Sequence, residues 1–315
     1  MSDTRAGFVA VIGAPNAGKS TLVNALVGEK VSIVTHKVQT TRFQIRGIAM
    51  RDKAQLVLVD TPGIFKPKDK DRYARSMVHA AWTGADDADA IVHVVDAPAF
   101  WRQLEGEGGS QDRLAFEDTE RVLAGLKLRA SKNVFLALNK IDEIDREKLL
   151  SVIQSFHQHE IYQDIFLISA LQNDGVEDLS AKLIEAMPAG PFLFPPDQAA
   201  DIPSRLMAAE ITREKLFLRL HDELPYASMV ETETWIRQKN GDLRIEQIIY
   251  VKRKSQKPIV LGKRGQTIKD IGQQARREME DWLGGKVHLF LFVKVREKWS
   301  EDPARYTESG LVFDV

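Results

Sequence analysis

The 315-residue sequence contains no cysteine. Disulfide staples, thiolate metal sites and cysteine nucleophiles are therefore excluded, and a reducing compartment is the expectation. Net charge is nearly absent as well: 44 Lys and Arg against 45 Asp and Glu leave −1. The molecule as a whole is no electrostatic trap for nucleic acid, so any such binding must come from a local patch. Long apolar runs are missing. VHLFLFVKV (287–295) is strand length, well short of the ~18 residues of a membrane span. No targeting segment is expected, because MSDTR leads straight into GFVAVIG, a strand pattern that feeds the first glycine loop. A cytoplasmic monomer is the expectation, with peripheral contact at the inner face of the cell membrane left open.

The 43% hydrophobic and 28% charged composition is that of an ordinary globular chain, and the length suits roughly two domains. Up to residue 187, apolar runs at 7–13, 43–50, 54–60, 90–97, 133–139 and 164–170 alternate with helical patterns near 19–28, 72–84, 116–128, 145–159 and 177–187. This alternation predicts an α/β domain with a mostly parallel sheet covered on both faces. The short gap between 43–50 and 54–60 suits a hairpin, which makes one edge strand antiparallel. Five of the 12 prolines (Pro188, Pro191, Pro195, Pro196 and Pro203) crowd residues 187–203. Proline this dense interrupts helices and central strands, so 188–203 is expected to be a linker between a domain at 1–187 and a second at 204–297, with a tail at 298–315. The second domain reads helix, strand, an Asn240-Gly241 turn, strand, short helix, glycine loop, helix and strand, an α+β arrangement. EGEGGSQD (105–112) reads as a mobile surface loop, within a stretch, 98–118, that Phe100 and Trp101 can pin down.

GAPNAGKS (13–20) matches G-x-x-x-x-G-K-[ST] between a strand and a helix. Gly13 and Gly18 would let the loop through Ala14, Pro15, Asn16 and Ala17 turn its backbone N–H groups, which Pro15 alone lacks, around phosphate oxygens, and the following helix, with Thr21 in its first turn, adds its positive end. Lys19 would reach the terminal phosphates and Ser20 would offer a hydroxyl to Mg²⁺. DTPG (60–63) follows an apolar strand. Asp60 is placed to hold Mg²⁺ through water, Thr61 and Pro62 shape the turn, and Gly63 presents its N–H to a γ-phosphate. NKID (139–142) also follows a strand. Asp142 can accept two parallel N–H bonds from guanine, a fork adenine lacks, while Asn139 and Lys140 frame the base. Ser169 and Ala170 can offer a backbone N–H to the guanine oxygen. Between the first helix and the second strand, QTTR (39–42) holds Thr40 and Thr41; a threonine here could join Mg²⁺ only with a γ-phosphate present, and Thr41 is preferred. The candidate catalytic groups are Lys19, Thr41 and Gly63. Ile64 follows Gly63 and cannot orient an attacking water by hydrogen bonding, so slow intrinsic turnover is expected.

VLGKRG (260–265) lacks the spacing and the Lys-Ser/Thr ending of a nucleotide loop. It fits the G-x-x-G of a KH module, whose loop between two helices clamps single-stranded nucleic-acid backbone. Gly262 and Gly265 would allow close approach, with Lys263 and Arg264 on phosphates. Between Gln247 and Lys269 there is no acid, while Lys252, Arg253, Lys254, Lys257 and Lys269 add to the two loop cations. The element order resembles the prokaryotic, type II KH arrangement. Ile259, Val260, Leu261, Ile268 and Ile271 are candidates for a base-facing groove wall, with core packing the plainer reading for most.

The four loops in this order resemble those of translation-factor-type GTPases. VSIVTHKVQTTR (31–42), DTPG and the C-terminal module together resemble the Era GTPase family over nearly the whole chain. That resemblance implies a P-loop GTPase domain followed by a type II KH domain, with GTP/GDP and Mg²⁺ as ligands. It further implies GTP hydrolysis coupled to 30S subunit assembly, with the 3′ end of small-subunit (16S) ribosomal RNA as the KH ligand. It also suggests K⁺ near Asn16, against the alternative that Asn16 only shapes the loop. Two other functions stay open: an RNA chaperone holding nucleotide as a structural ligand, and a membrane-surface or cell-cycle GTPase.

Overall fold

The computed structural model of the chain describes residues 3–69, 71–129, 133–221, 223–297, 299–303, 306 and 310–315. Two units emerge, Met1–Asp201 together with Tyr306–Val315, and Ile202–Arg305.

In the first unit, the runs rich in Val, Ile and Leu form β1 (Arg5–Gly13), β2 (Ile45–Arg51), β3 (Ala54–Asp60), β4 (Ala90–Asp96), β5 (Asn133–Asn139) and β6 (Asp164–Leu167). Between them lie α1 (Lys19–Val27), α2 (Arg72–Asp87), α3 (Ala97–Leu104), α4 (Ser110–Lys127), α5 (Arg146–His157) and α6 (Val176–Ala186). With the two-residue β7 (Ala200–Asp201), the sheet order is β6-β5-β4-β1-β3-β2-β7. β3, β1, β4, β5 and β6 run parallel, and β2 is antiparallel to β3. Leu22, Val23 and Leu26 of α1 and Leu179 and Leu183 of α6 share a core with one set of strand residues. Ala81 and Ala85 of α2 and Val122 and Leu126 of α4 pack with Ala10, Ile12 and Ile91, while Leu149, Val152 and Phe156 of α5 join Leu136, Leu138 and Phe100. Both faces are thus covered, which is why the central strands carry apolar residues without alternation.

Three segments depart from the sequence-based expectation. First, β2 is not the edge strand. The proline-rich stretch runs along it: Ile48 N donates to Ala199 O at 2.8 Å, and Arg46 pairs with Asp201 at 3.2 Å. Upstream, Gln55, fully buried on β3, bonds the backbone of Leu193 and Phe194 with its side-chain amide. Prolines interrupt a regular ladder here, and a side chain substitutes for it. Second, the tract at 105–112 is a tight connection rather than a long loop. Asp96 caps α3 by accepting from Ala99 N at 3.0 Å, with Pro98 in the first turn. Asp112 accepts from Gly109 N at 3.0 Å and from Arg102 at 2.6 Å, so α4 already starts at Ser110. Phe100 stacks on Phe116 and packs at a tilt against Phe156, with ring centres 4.7 Å apart in each pair. Third, the end of the chain docks on α2. Tyr306 and Leu311 are buried against Met77 and Ala80, and the Arg72 guanidinium lies 4.3 Å from the centre of the Phe313 ring. A few aromatics in a polar tail carry this contact, and they give no periodic signal.

The second unit contains α7 (Ser204–Arg219), β8 (Ser228–Arg237), β9 (Leu243–Val251), α8 (Gln256–Leu261), α9 (Gln266–Leu283) and β10 (Val287–Val295). Its sheet order is β10-β9-β8, with β10 parallel and β8 antiparallel to β9. Phe217, Val230, Ile249, Val251, Val260 and Ile271 form its core. Among the described residues no helix is long and apolar enough to cross a membrane.

Candidate functional site

The glycine loop, DTPG, NKID and Ser169-Ala170 all follow carboxyl ends of parallel strands, where open α/β sheets bind ligands. The glycines are dictated by close approach. A Cβ on Gly13 (φ 156°) would lie 2.3 Å from Val94 O, and one on Gly18 (φ 97°) 2.1 Å from Asn139 Nδ2. Gly63 would clash with Pro15, whose N and Cα lie 3.0 Å from that added carbon. Ile64 N donates to Gly13 O at 3.0 Å and Thr61 Oγ1 to Val11 O at 2.8 Å, so the DTPG turn is fastened to the glycine loop. Ala14 and Ala17 are buried. Asn16 takes a left-handed φ of 63° and donates from Nδ2 to His36 O at 3.1 Å.

Lys19 is buried and donates to Ala14 O at 2.9 Å. Burial lowers its ammonium to about 8, against the opposing pull of Asp60. Asp60 is wholly buried, and burial raises its carboxyl, partly offset by the Ser20 hydrogen bond and by Lys19. Ser20 Oγ lies 2.8 Å from both Asp60 Oδ2 and Thr41 Oγ1, and Thr41 donates to the same Oδ2 at 3.2 Å. Thr40 is tied elsewhere, to Thr35 Oγ1 at 2.6 Å and Lys37 O at 2.7 Å. The structure thus brings Thr41, and not Thr40, to the Ser20–Asp60 pair. Asp60 Oδ1 is buried without a hydrogen-bond partner. An all-oxygen donor set with one orphaned carboxylate oxygen fits a hard divalent cation. Among the described residues no cluster of three or more His, Cys, Asp or Glu could hold a metal.

Asn139, also buried, donates to Ala17 O at 2.8 Å and accepts from Ala170 N at 2.9 Å, joining three loops. Ser169 exchanges backbone bonds with Asp174 at 3.0 and 3.1 Å. Lys140 has a left-handed φ of 66° and pairs with Asp96. Asp142 stands apart from this bonded cluster, exposed in a 3-10 turn over Ile141–Glu143. With Pro98, Trp101, Arg102 and Lys148 it lines a cleft of about 480 Å³. Thr21 lines a separate shallow cleft with Asn24 and Ala170. Two supporting residues gave no sequence signal. Asn24 on α1 holds Val31 N and Ser32 N at 2.9 Å each. Asp96 was legible only as the end of a strand.

In the second unit the loop after α8 is built on positive φ: Gly262 74°, Arg264 54° and Gly265 77°. A Cβ on Gly262 would lie 2.1 Å from Thr267 Oγ1, so this position requires glycine. Lys263, Arg264, Lys254, Lys257 and Lys269 are exposed. Lys252 is half-buried, its ammonium 5.2 Å from the centre of the Trp299 ring, and does not join the exposed set. Val260 and Ile271 belong to the core, Leu261 and Ile268 pack against it, and Ile259 alone of the five is exposed, at 58%.

Comparison with known proteins divides the chain in the same way. A family described as 50S ribosome-binding GTPase matches residues 8–140, and a KH-domain family matches 223–300. GTPase Era of Maricaulis maris is 56% identical over 317 residues, spanning 100% of both chains. Among solved structures, a point variant of Aquifex aeolicus Era bound to GDP·AlF4⁻ superposes with a TM-score of 0.85 at 36% identity, covering 98% of this chain and 99% of that one. An Era complex with MgGDPNP and nucleotides 1506–1542 of 16S ribosomal RNA gives 0.86 at 36% identity, with the same coverage.

Proposed function

This chain belongs to the GTPase Era family, and from that premise we infer a guanine-nucleotide switch that clamps the single-stranded 3′ end of 16S ribosomal RNA during 30S subunit assembly. The observation that carries this reading is the convergence of loops: Asn139 joins the glycine loop to Ala170, while Asp60 gathers Ser20 and Thr41. GTP is held by the backbone from Gly13 to Thr21, with Lys19 neutralising charge that builds on the phosphates as water attacks in line. Ser20, Thr41 and Asp60 would hold Mg²⁺, which when bound would supply positive charge to neutralise the phosphates. Gly63 N–H meets the γ-phosphate, and Thr61 and Pro62 fix its turn. Asp142 reads guanine, Lys140 and Asn139 support the base, and Ala170 N–H, beside Ser169, completes that side. Thr41 reaches Asp60 only while the 31–42 segment is ordered, which makes this segment the switch.

In the second unit, Gly262 and Gly265 let RNA backbone approach, and Lys263, Arg264, Lys254, Lys257 and Lys269 meet phosphates. The work is cytoplasmic, and the basic face is assigned to RNA rather than to a membrane surface, because it is built around a strained G-x-x-G turn. K⁺ beside Asn16 is assigned a stimulating role, tested by whether Asn16→Asp abolishes the K⁺ dependence of turnover. The nucleotide assignment is tested by GTP and ATP turnover in the wild type and Lys19→Ala. Turnover of GTP alone, lost in the variant, is expected. Equal use of ATP, or hydrolysis indifferent to Lys19, would overturn it.

A further inference from the structure

The guanine loop rests on a residue that no nucleotide motif includes. Asp96 ends β4 and stands in register with Asn139, the last residue of β5. Its two carboxylate oxygens serve two elements. Oδ1 accepts from Ala99 N at 3.0 Å and starts α3, while Oδ2 takes the ammonium of Lys140. Both partners of that ion pair are largely shielded from solvent, with side-chain exposures of 17% for Asp96 and 28% for Lys140. Lys140 itself is strained. A non-glycine residue at φ 66° and ψ 37° persists only where its surroundings fix it. The fixing groups are the Asp96 pair, Ile141 N to Ile168 O at 3.2 Å and Glu143 N to Lys140 O at 3.0 Å. The 3-10 turn that follows carries Asp142.

The helix that Asp96 caps lies against the same loop. Phe100 shares a core with Leu138, Ile141 and Ile144. Trp101 lies under the ammonium of Lys148, 4.1 Å from its ring centre. The 480 Å³ cleft beside Asp142 has Pro98, Trp101 and Arg102 as one wall and residues 142–145 as the other. The stretch 97–127, which includes the 98–118 segment, is therefore a buttress for the guanine loop, and Asp96 is its hinge pin.

We propose that Asp96 is a positioning residue for guanine recognition, holding Lys140 by charge and α3 by its cap so that the α3–α4 hairpin and the base-reading turn are set together. This rests on the reading of NKID as the guanine loop. Neutralising Asp96 loosens Lys140 and lets the Asp142 turn relax, which weakens nucleotide retention. The γ-phosphate apparatus on Lys19, Ser20, Thr41 and Asp60 is left intact, so chemistry on bound GTP is unchanged.

The two duties of Asp96 separate experimentally. Asp96→Asn keeps a good helix cap and loses the ion pair, whereas Asp96→Glu keeps the charge on a longer arm. The full-length protein is loaded with a fluorescent GDP, and release is followed on chasing with unlabelled GDP; single-turnover GTP hydrolysis and Tm are measured alongside. Release should accelerate on the order of ten-fold in Asp96→Asn, since a charge-assisted hydrogen bond is lost. It should be largely restored in Asp96→Glu, with single-turnover rates matching the wild type. Release from Asp96→Asn at the wild-type rate would overturn the inference and leave Asp96 as a helix cap. Equal loss of retention and hydrolysis, with a matching fall in Tm, would also overturn it by showing general destabilisation. A wild-type protein that retains fluorescent ADP as well as GDP would defeat the guanine assignment itself, an outcome distinct from either.

Discussion

Ile64 occupies the place where another class of GTPase carries a water-orienting glutamine, and the structure predicts the outcome of restoring that residue. Ile64 is 2% exposed and packs among Ala10, Ile12, Ala81, Ala85 and Ile91, between the first strand and α2. Its N–H is committed to Gly13 O. Ile64→Gln loses apolar burial worth about 1.5–3 kcal/mol. If the amide stays inside, it adds a desolvation cost of about 1–3 kcal/mol. If it swings out, the lost burial and the vacated space together cost about 2–5 kcal/mol. Either route removes roughly 2–6 kcal/mol, equivalent to a fall in Tm on the order of 5–20 °C for a unit of this size. Thermal unfolding followed by circular dichroism, with and without GDP, measures the loss, and single-turnover hydrolysis at a temperature where both proteins are folded measures the chemistry. We expect a large Tm deficit and no gain in rate. A variant with wild-type Tm and faster hydrolysis would refute the reasoning, because Ile64 would then face the phosphate site instead of the core.

Other perturbations follow from the same geometry. Thr41→Val removes a hydroxyl from the Ser20–Asp60 pair and should raise the Mg²⁺ midpoint for hydrolysis roughly ten- to a hundred-fold; Thr40→Val, altering a loop contact, should leave the midpoint near wild type. His93 is buried beside Tyr162 and held down to about 3, chiefly by burial. Between that value and the ~6.5 of an unfolded histidine, only the unfolded chain binds the proton, so stability falls as pH drops. By pH 5 this amounts to about 2 kcal/mol, and urea unfolding at pH 7 and 5 should show a shallower loss in His93→Gln than in the wild type. Gly262→Ala places a Cβ on Thr267 at a positive φ and should weaken RNA binding by at least about ten-fold in fluorescence anisotropy; unchanged affinity would remove the loop from the interface.

Where the sequence was legible, a strong local pattern agreed with the tertiary environment. Ala54–Asp60, Asn133–Asn139 and Gln266–Leu283 form as their patterns predict, because unbroken apolar runs and glycine stops leave few alternatives. The glycine positions of the 13–20 loop were readable for the same reason, since Gly13 and Gly18 are fixed by contacts that tolerate no side chain. The remaining features depend on partners far along the chain. β7 exists only because β2 offers an edge, and Gln55 fastens the proline stretch from some 138 residues away. Tyr306 is buried by Met77 and Ala80, which lie more than about 200 positions earlier in the chain. The preference for Thr41 over Thr40 became a distinction only once Thr35 and Lys37 were seen to occupy Thr40. Asp96 carries no motif, and its importance lies in which two groups its oxygens meet.

In the proposed switch the two glycine loops are coupled, nucleotide in the first governing RNA at the second. Capture of RNA on the full-length protein loaded with a GTP analogue or with GDP, beside a Lys263→Asp/Arg264→Asp variant, measures that coupling. One RNA 3′ end should be enriched with the GTP analogue and lost in the variant. Equal capture in both nucleotide states, or none at modest salt, would contradict the coupling.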